Sequence, residues 1–323
     1  MQIADLLQPR EEVIEGQFQG VLQAHKVGDS ADRLENDPTR LLSMTYPSNA
    51  LQTAFERVDD KLRGSDSQGG ITLSGPYGAG KSHGLITLYH LFNSPNISKD
   101  WLAEWNIDLP LPDTTRASIL STSETDADQI WEPIFDNLNG SEILEGIKRY
   151  PTTEHIEALV GDDTVAIFFD EIETWWESFD RDEDGELLER NEFFLQNLLE
   201  VANDPERNLF VFVTLLDKSP GFKRILNRTN PYAVDMNDTG DRERIILHRL
   251  FETPVRKLMN LVYAMSSRTI PTTTTTQLTP RNWVSSSDTR IGWWRRIRST
   301  PNFSNSSTAC MRRVGNNRVF VAR

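Results

Sequence analysis

The chain has 323 residues, 48 acidic against 34 basic, for a net charge of −14, and a single cysteine, Cys310. One cysteine excludes an intramolecular disulfide framework and a cysteine-rich zinc site, and no apolar run approaches the roughly eighteen residues of a membrane span. The start, Met1-Gln-Ile-Ala-Asp-Leu-Leu, lacks the basic and apolar regions of a secretory leader, so a cytoplasmic protein without membrane partners is expected.

The charge is unevenly spread. Residues 1–252 hold 22 basic and 47 acidic residues, net −25, whereas residues 253–323 hold 12 basic residues and one acid, Asp288, net +11. An acidic body with only seven lysines is the composition of a protein solvated for high salt, where carboxylates hold water and screening mutes their repulsion. The sequence therefore divides into a helical lead-in at 1–64, an α/β core at 65–252 and a basic tail at 253–323.

In the lead-in, Pro9-Arg-Glu-Glu-Val-Ile, Thr39-Arg-Leu-Leu and Ser48–Leu62 are expected to be helical, the last with Leu51, Ala54, Phe55, Val58 and Leu62 on one apolar face. Gly70–Ser74 reads as a buried strand, and it runs directly into Gly75-Pro76-Tyr77-Gly78-Ala79-Gly80-Lys81-Ser82-His83. GxxxxGK[ST] between a strand and a helix is a phosphate cradle. Backbone N–H groups must wrap the β- and γ-phosphates, and side chains at the glycine positions would block them. Lys81 is expected on the phosphate oxygens and Ser82 on Mg²⁺, with the helix from Lys81 to Phe92 directing its positive end at the anion. A chance match would lack this strand–loop–helix order.

Ala117–Ser121 reads as a second strand, followed by helices at Ala127–Leu138 and Thr153–Leu159. Thr164-Val-Ala-Ile-Phe-Phe-Asp170-Glu171 is an unbroken apolar run ending in two carboxylates, the form of a central parallel strand buried on both faces. Asp170 is expected to hold the Mg²⁺ shell and Glu171 to polarise the attacking water. An acidic helix cap after a strand is the plainer alternative. Lys81 and Asp170 stand far enough apart to admit a further strand and helices, and no guanine-specifying NKxD occurs. Together these indicate a P-loop ATPase of the additional-strand type with a mainly parallel sheet between helices.

A helix over Leu187–Asn203 leads to the buried strand Leu209–Leu216, where Thr214 stands either as a sensor of the γ-phosphate or as an ordinary strand threonine. Arg224 and Arg228 on Phe222–Asn227, and Arg242, Arg244 and Arg249 on Asp241–Phe251, are candidates for an arginine finger. Asp180-Arg-Asp182-Glu-Asp184-Gly185 imitates a calcium loop, but its twelfth position is Asn191, so an acidic surface loop is expected. Trp175, Trp176, Phe179, Phe193 and Phe194 are assigned to the core, since the acidic surroundings would repel a nucleic acid. In the tail, periodicity fades. Arg295, Arg296 and Arg298 beside Trp293 and Trp294 would suit a DNA-binding arm, but the abrupt loss of acids favours a disordered or out-of-frame stretch.

With these residues in place, the chain resembles the large AAA+-like P-loop ATPases of prokaryotic phage-defence islands, such as the BrxC and PglY proteins of BREX systems. The likeness lies in Pro9–Gly16, Gly75–His83 with Leu88–Phe92, the strand ending Asp170-Glu171, and Arg249-Leu-Phe251. It spans residues 1–252 and implies a haloarchaeal, truncated member that uses ATP and Mg²⁺. Partners would be further copies of the chain or defence-complex proteins, with any DNA contact indirect. A nucleotide-dependent switch that assembles a complex without turnover is the alternative.

Overall fold

A computed structural model describes residues 8–122, 127–180, 182–216, 229–237, 240–252, 310–314 and 317–321. The lead-in contributes α1 (Glu11–Ile14), α2 (Pro38–Ser43) and α3 (Asn49–Leu62). Asp37 caps α2 by accepting from the Arg40 N–H, and Ser48 caps α3, as these residue types do at helix starts. A five-stranded sheet follows, built from β1 (Gly70–Ser74), β2 (Thr115–Ser121), β3 (Thr164–Asp170), β4 (Leu209–Leu215) and β5 (Tyr232–Asp235). Among the described residues, the remaining α-helices of the body are α4 (Lys81–Asn93), α5 (Pro95–Glu104), α6 (Trp131–Asn137), α7 (Thr153–Val160), α8 (Ile172–Ser178), α9 (Gly185–Ala202) and α10 (Arg242–Leu250).

All strand pairs of this sheet are parallel, in the order β2-β3-β4-β1-β5. This is an α/β P-loop NTPase fold of the additional-strand type, because β4 lies between the P-loop strand β1 and the carboxylate strand β3. The strand that intervenes in sequence, β2, lies at the edge; the strand that intervenes in space comes later in the chain.

Alternation along β3 and β4 sorts the core into two layers. Val165, Ile167 and Phe169, with Leu209, Val211 and Val213, pack under α6, α7, α8 and α9. Ala166, Phe168, Phe210 and Phe212 face α4 and the lead-in helices. Phe168 stacks on Phe212 with ring centroids 4.8 Å apart, and Phe92 of α4 packs on both. Burying both sheet faces requires near-continuous apolar strands, which is how β3 and β4 read.

Among the described residues of the body, three α-helices and strands escaped the sequence reading. α5 follows α4 after only Ser94, α8 holds the tryptophan pair, and β5 is a four-residue edge strand. The helix expected from Ala127 begins only at Trp131. Trp175, Trp176 and Phe194 are buried, as expected of core residues, while Phe193 lies near the surface and stacks on Tyr150 at 5.3 Å. Asn191 is fully buried: its Oδ1 accepts from the Ile130 N–H and its amide donates to the Asp128 and Leu187 carbonyls. It pins α9 to the turn before α6, which accounts for the amide at the twelfth position of the calcium-loop lookalike.

The chain divides into two units, Met1–Tyr263 and Ala264–Arg323. Among its described residues the second contains an antiparallel pair, β6 (Cys310–Val314) and β7 (Asn317–Val321). Arg224, Arg228 and most of the basic tail lie outside the described residues. Among the described residues, no helix is long and apolar enough to cross a membrane.

Candidate functional site

The parallel sheet brings the C-terminal ends of β1, β4 and β3 side by side, where open α/β sheets bind ligands. The loop after β1, from Gly75 to Gly80, turns into α4. Gly80 caps the helix at φ +88°, and Gly75 stands at φ +154°, where an added Cβ would lie 3.2 Å from that of Ala79. A side chain at either position would strain the loop, so the glycines of the motif are conformational requirements here.

Asp170 and Thr214 occupy even positions of β3 and β4, one step beyond the pairs Phe168↔Phe212 and Phe169↔Val213. Both therefore fall on the sheet face covered by α4, whose second residue is Ser82. The Thr214 hydroxyl donates to Asp170 Oδ1 at 2.7 Å, and Ser82 Oγ donates to the same oxygen at 3.3 Å. The Glu171 N–H donates to Thr214 Oγ1 at 2.9 Å, and the Asp170 carbonyl accepts from Thr122 Oγ1 at 3.0 Å. Glu171 caps α8 at φ +57°, a left-handed conformation uncommon for a glutamate, and its side chain is exposed.

Lys81 Nζ donates to the Gly75 and Pro76 carbonyls, both at 2.9 Å, and lies 5.7 Å from the ring centroid of Tyr77, which is 80% exposed. The ammonium thus folds over its own loop. His83 Nε2 lies 2.8 Å from Thr45 Oγ1, whose one hydrogen is directed to the Leu41 carbonyl, so the imidazole donates from Nε2. Burial, with the nearby Arg249 charge, pushes its pKa down to about 3. Burial also pushes the Asp170 carboxyl above its ordinary range, against the hydrogen bonds from Thr214 and Ser82; Glu171 adds to the rise and Lys81 opposes it.

Tyr77, Gly78, Gly80, Lys81, Ser82, His83, Asp170, Glu171 and Thr214 line one cavity of about 270 Å³, together with Gly20, Val21, Leu22, Glu173, Thr174, Leu215, Leu216 and Arg249. Of the three described arginines on α10, only Arg249 lines it. Arg242 donates to Asn237, and Arg244 pairs with Asp241 at 2.9 Å. A larger groove of about 680 Å³ over Glu157, Gln196, Glu200 and Asp204 carries carboxylates and no phosphate cradle. Sequence reading missed Gly20–Leu22 and Glu173. The first is an unpatterned loop, and the second stands two residues past Glu171, where the helical run gave it no separate signal; its Oε2 accepts from the Leu216 N–H at 2.7 Å.

Ser82 and Asp170 offer a hydroxyl and a carboxylate oxygen converging on one point, a donor set that fits Mg²⁺, which takes few protein ligands and keeps its waters. The cradle of Gly75–Gly80, Lys81 and the α4 N-terminus fits a polyphosphate.

A family model described as the DUF499 N-terminal domain matches residues 3–108, which include the cradle. No curated protein matches the chain. Among solved structures it is similar to PCH-2 of C. elegans, at 13% identity over 78% of this chain and 52% of that one, with a TM-score of 0.30. It is also similar to the ORC1 protein of Aeropyrum pernix, solved in complex with DNA: 16% identity, 69% and 55% covered, TM-score 0.35. A third is the HORMA:CdnC:Trip13 complex of E. coli MS115-1, at 13% identity, 68% and 66% covered, TM-score 0.30. The chain thus spans between 52% and 66% of the length of these three structures.

Proposed function

We propose that the chain binds ATP and hydrolyses it with Mg²⁺. One observation carries this reading: Ser82, at the start of the helix after the phosphate cradle, lies 3.3 Å from Asp170, at the end of a strand 88 residues on. A chance P-loop match has no reason to meet a buried carboxylate. Mg²⁺ held by Ser82 and Asp170 would draw charge from the β- and γ-phosphate oxygens. Lys81 would leave the Gly75 and Pro76 carbonyls for the phosphate. The loop N–H groups and the α4 N-terminus stabilise negative charge without reorganising. Glu171, exposed beside Asp170 and with its N–H bonded to Thr214, would take a proton from the attacking water.

By its sequence resemblance we read the chain as an ATPase component of a phage-defence complex of the BREX type, working in a salt-rich cytoplasm. Other copies or defence proteins would be its partners, and DNA contact would be indirect. Turnover by wild-type and Glu171→Gln protein, with ATP binding measured in parallel, tests the chemistry. We expect the variant to bind ATP as wild type does and to lose turnover by at least ~10²-fold. Equal turnover in the two removes Glu171 from the mechanism, and binding without wild-type turnover leaves the switch reading in its place.

A further inference from the structure

The cavity lining divides into two chemical sets. One is the phosphate and metal set: Gly78, Gly80, Lys81, Ser82, Asp170 and Glu171. The other includes a strap of the lead-in, Gly20-Val21-Leu22, in neither helix nor strand. Leu22 is anchored in the core at 5% exposure, whereas Val21, at 74%, stands out along the cavity.

Such a strap has no ladder to hold its backbone, and two remote side chains supply one. Glu35 is fully buried; its Oε1 accepts from Gln19 Nε2 at 2.6 Å and from the Gln23 N–H at 3.2 Å, bracketing the strap at both ends. Its other oxygen pairs with Arg33 Nε at 3.5 Å. From α10, Arg249 donates to the Gln19 carbonyl at 3.1 Å and the Gly20 carbonyl at 3.2 Å, with its guanidinium 5.3 Å from the Phe18 ring centroid. A fully buried carboxylate is a poor way to stabilise a core, since apolar residues of the same volume commonly do as well. Holding a main-chain segment in one place is a task apolar packing does less well.

We propose that Gly20-Val21-Leu22 form the wall of the cavity that receives the nucleoside part of the ligand, and that Glu35, bonded to Gln19 and Gln23 on either side, is the positioning residue that holds this wall. The proposal rests on the nucleotide reading of the cavity. Its main-chain and apolar groups suit the flat face of a base, and they carry no charge to attract phosphate. Loosening the strap then weakens recognition of the nucleoside while leaving the phosphate cradle intact.

The test compares two probes, ATP and inorganic tripolyphosphate, each with Mg²⁺, by calorimetric titration of the full chain. In Glu35→Leu and Gln19→Leu, ATP should bind roughly tenfold more weakly, the worth of one lost strong hydrogen bond, with tripolyphosphate unchanged. Glu35→Gln keeps an acceptor and should lose less than Glu35→Leu. Lys81→Ala should weaken both probes. Variants with wild-type circular dichroism that bind ATP normally, or that lose both probes alike, overturn the strap. If the Glu35 variants do not fold, Gln19→Leu, at a partly exposed position, decides alone. Wild-type protein that binds neither probe sinks the nucleotide reading and the strap with it.

Discussion

The Thr214 hydroxyl serves two partners at once, donating to Asp170 and accepting from the Glu171 N–H. It is 1% exposed. Thr214→Val keeps the shape and removes both bonds. Leaving the Asp170 oxygen with only its longer bond from Ser82 and the Glu171 N–H without its acceptor costs about 1–3 kcal/mol, or a fall of ~2–10 °C in the thermal midpoint of a domain of this size. Thr214→Ser should melt within a degree or two of wild type and keep turnover, because the hydroxyl is retained. A valine variant as stable as wild type would show that the two bonds contribute nothing net. At this scale the sequence was readable wherever chemistry fixes local spacing: Gly75 to Ser82 and Asp170-Glu171 are each contiguous, and the cavity assembles around them. Glu35 gave no such signal, and Arg249 stood among the arginine-finger candidates. Arg249 acts on backbone 229 and 230 residues away in the chain, and Glu35 reads as a surface glutamate until the fold buries it.

Among the elements, α3, α4, β3 and β4 were readable because each buries a whole face or both faces and so carries a strong period. β5 and α8 were not. β5 is held at the sheet edge by pairing with β1, and Glu173 and Glu177 in α8, after the cap Glu171, interrupt the apolar pattern. The end of α3 makes the clearest pH prediction. Lys61, 5% exposed, donates from Nζ to the Ser67 carbonyl at 2.6 Å and the Asp204 carbonyl at 3.1 Å, tying α3 to the loops before β1 and β4. Burial, opposed by Asp204 and Asp66, lowers its pKa from 10.5 to about 8. Between those values the unfolded chain binds a proton that the folded chain does not, so this group favours folding more as pH rises through that window. Relative to Lys61→Met, wild-type protein should therefore gain on the order of 2 kcal/mol in urea stability from the lower to the upper end of that range. Parallel curves for the two proteins would mean that Lys61 titrates normally.

At the scale of the molecule, charge dominates. The first 252 residues carry −25, and raising KCl from ~0.1 M to ~1 M shortens the screening length from ~10 Å to ~3 Å. The urea midpoint should rise across that series at fixed pH; a flat or falling midpoint would show that self-repulsion does not limit stability and would remove the physical basis for a salt-rich setting. The fold class was legible from β1, β3 and β4. So was an additional strand between β1 and β3; that β4 rather than β2 fills that place was not, since strand order depends on crossovers that leave no local pattern. One small feature binds the lead-in to the end of α10: Pro9 bridges Phe251, the Arg10 N–H donates to the Leu250 carbonyl and the Glu252 N–H to the Gln8 carbonyl. A pull on the chain beyond Glu252 would load this short ladder in shear before it reached the sheet. Arg249, two residues away and gripping Gln19 and Gly20, would carry the same tension to the rim of the cavity.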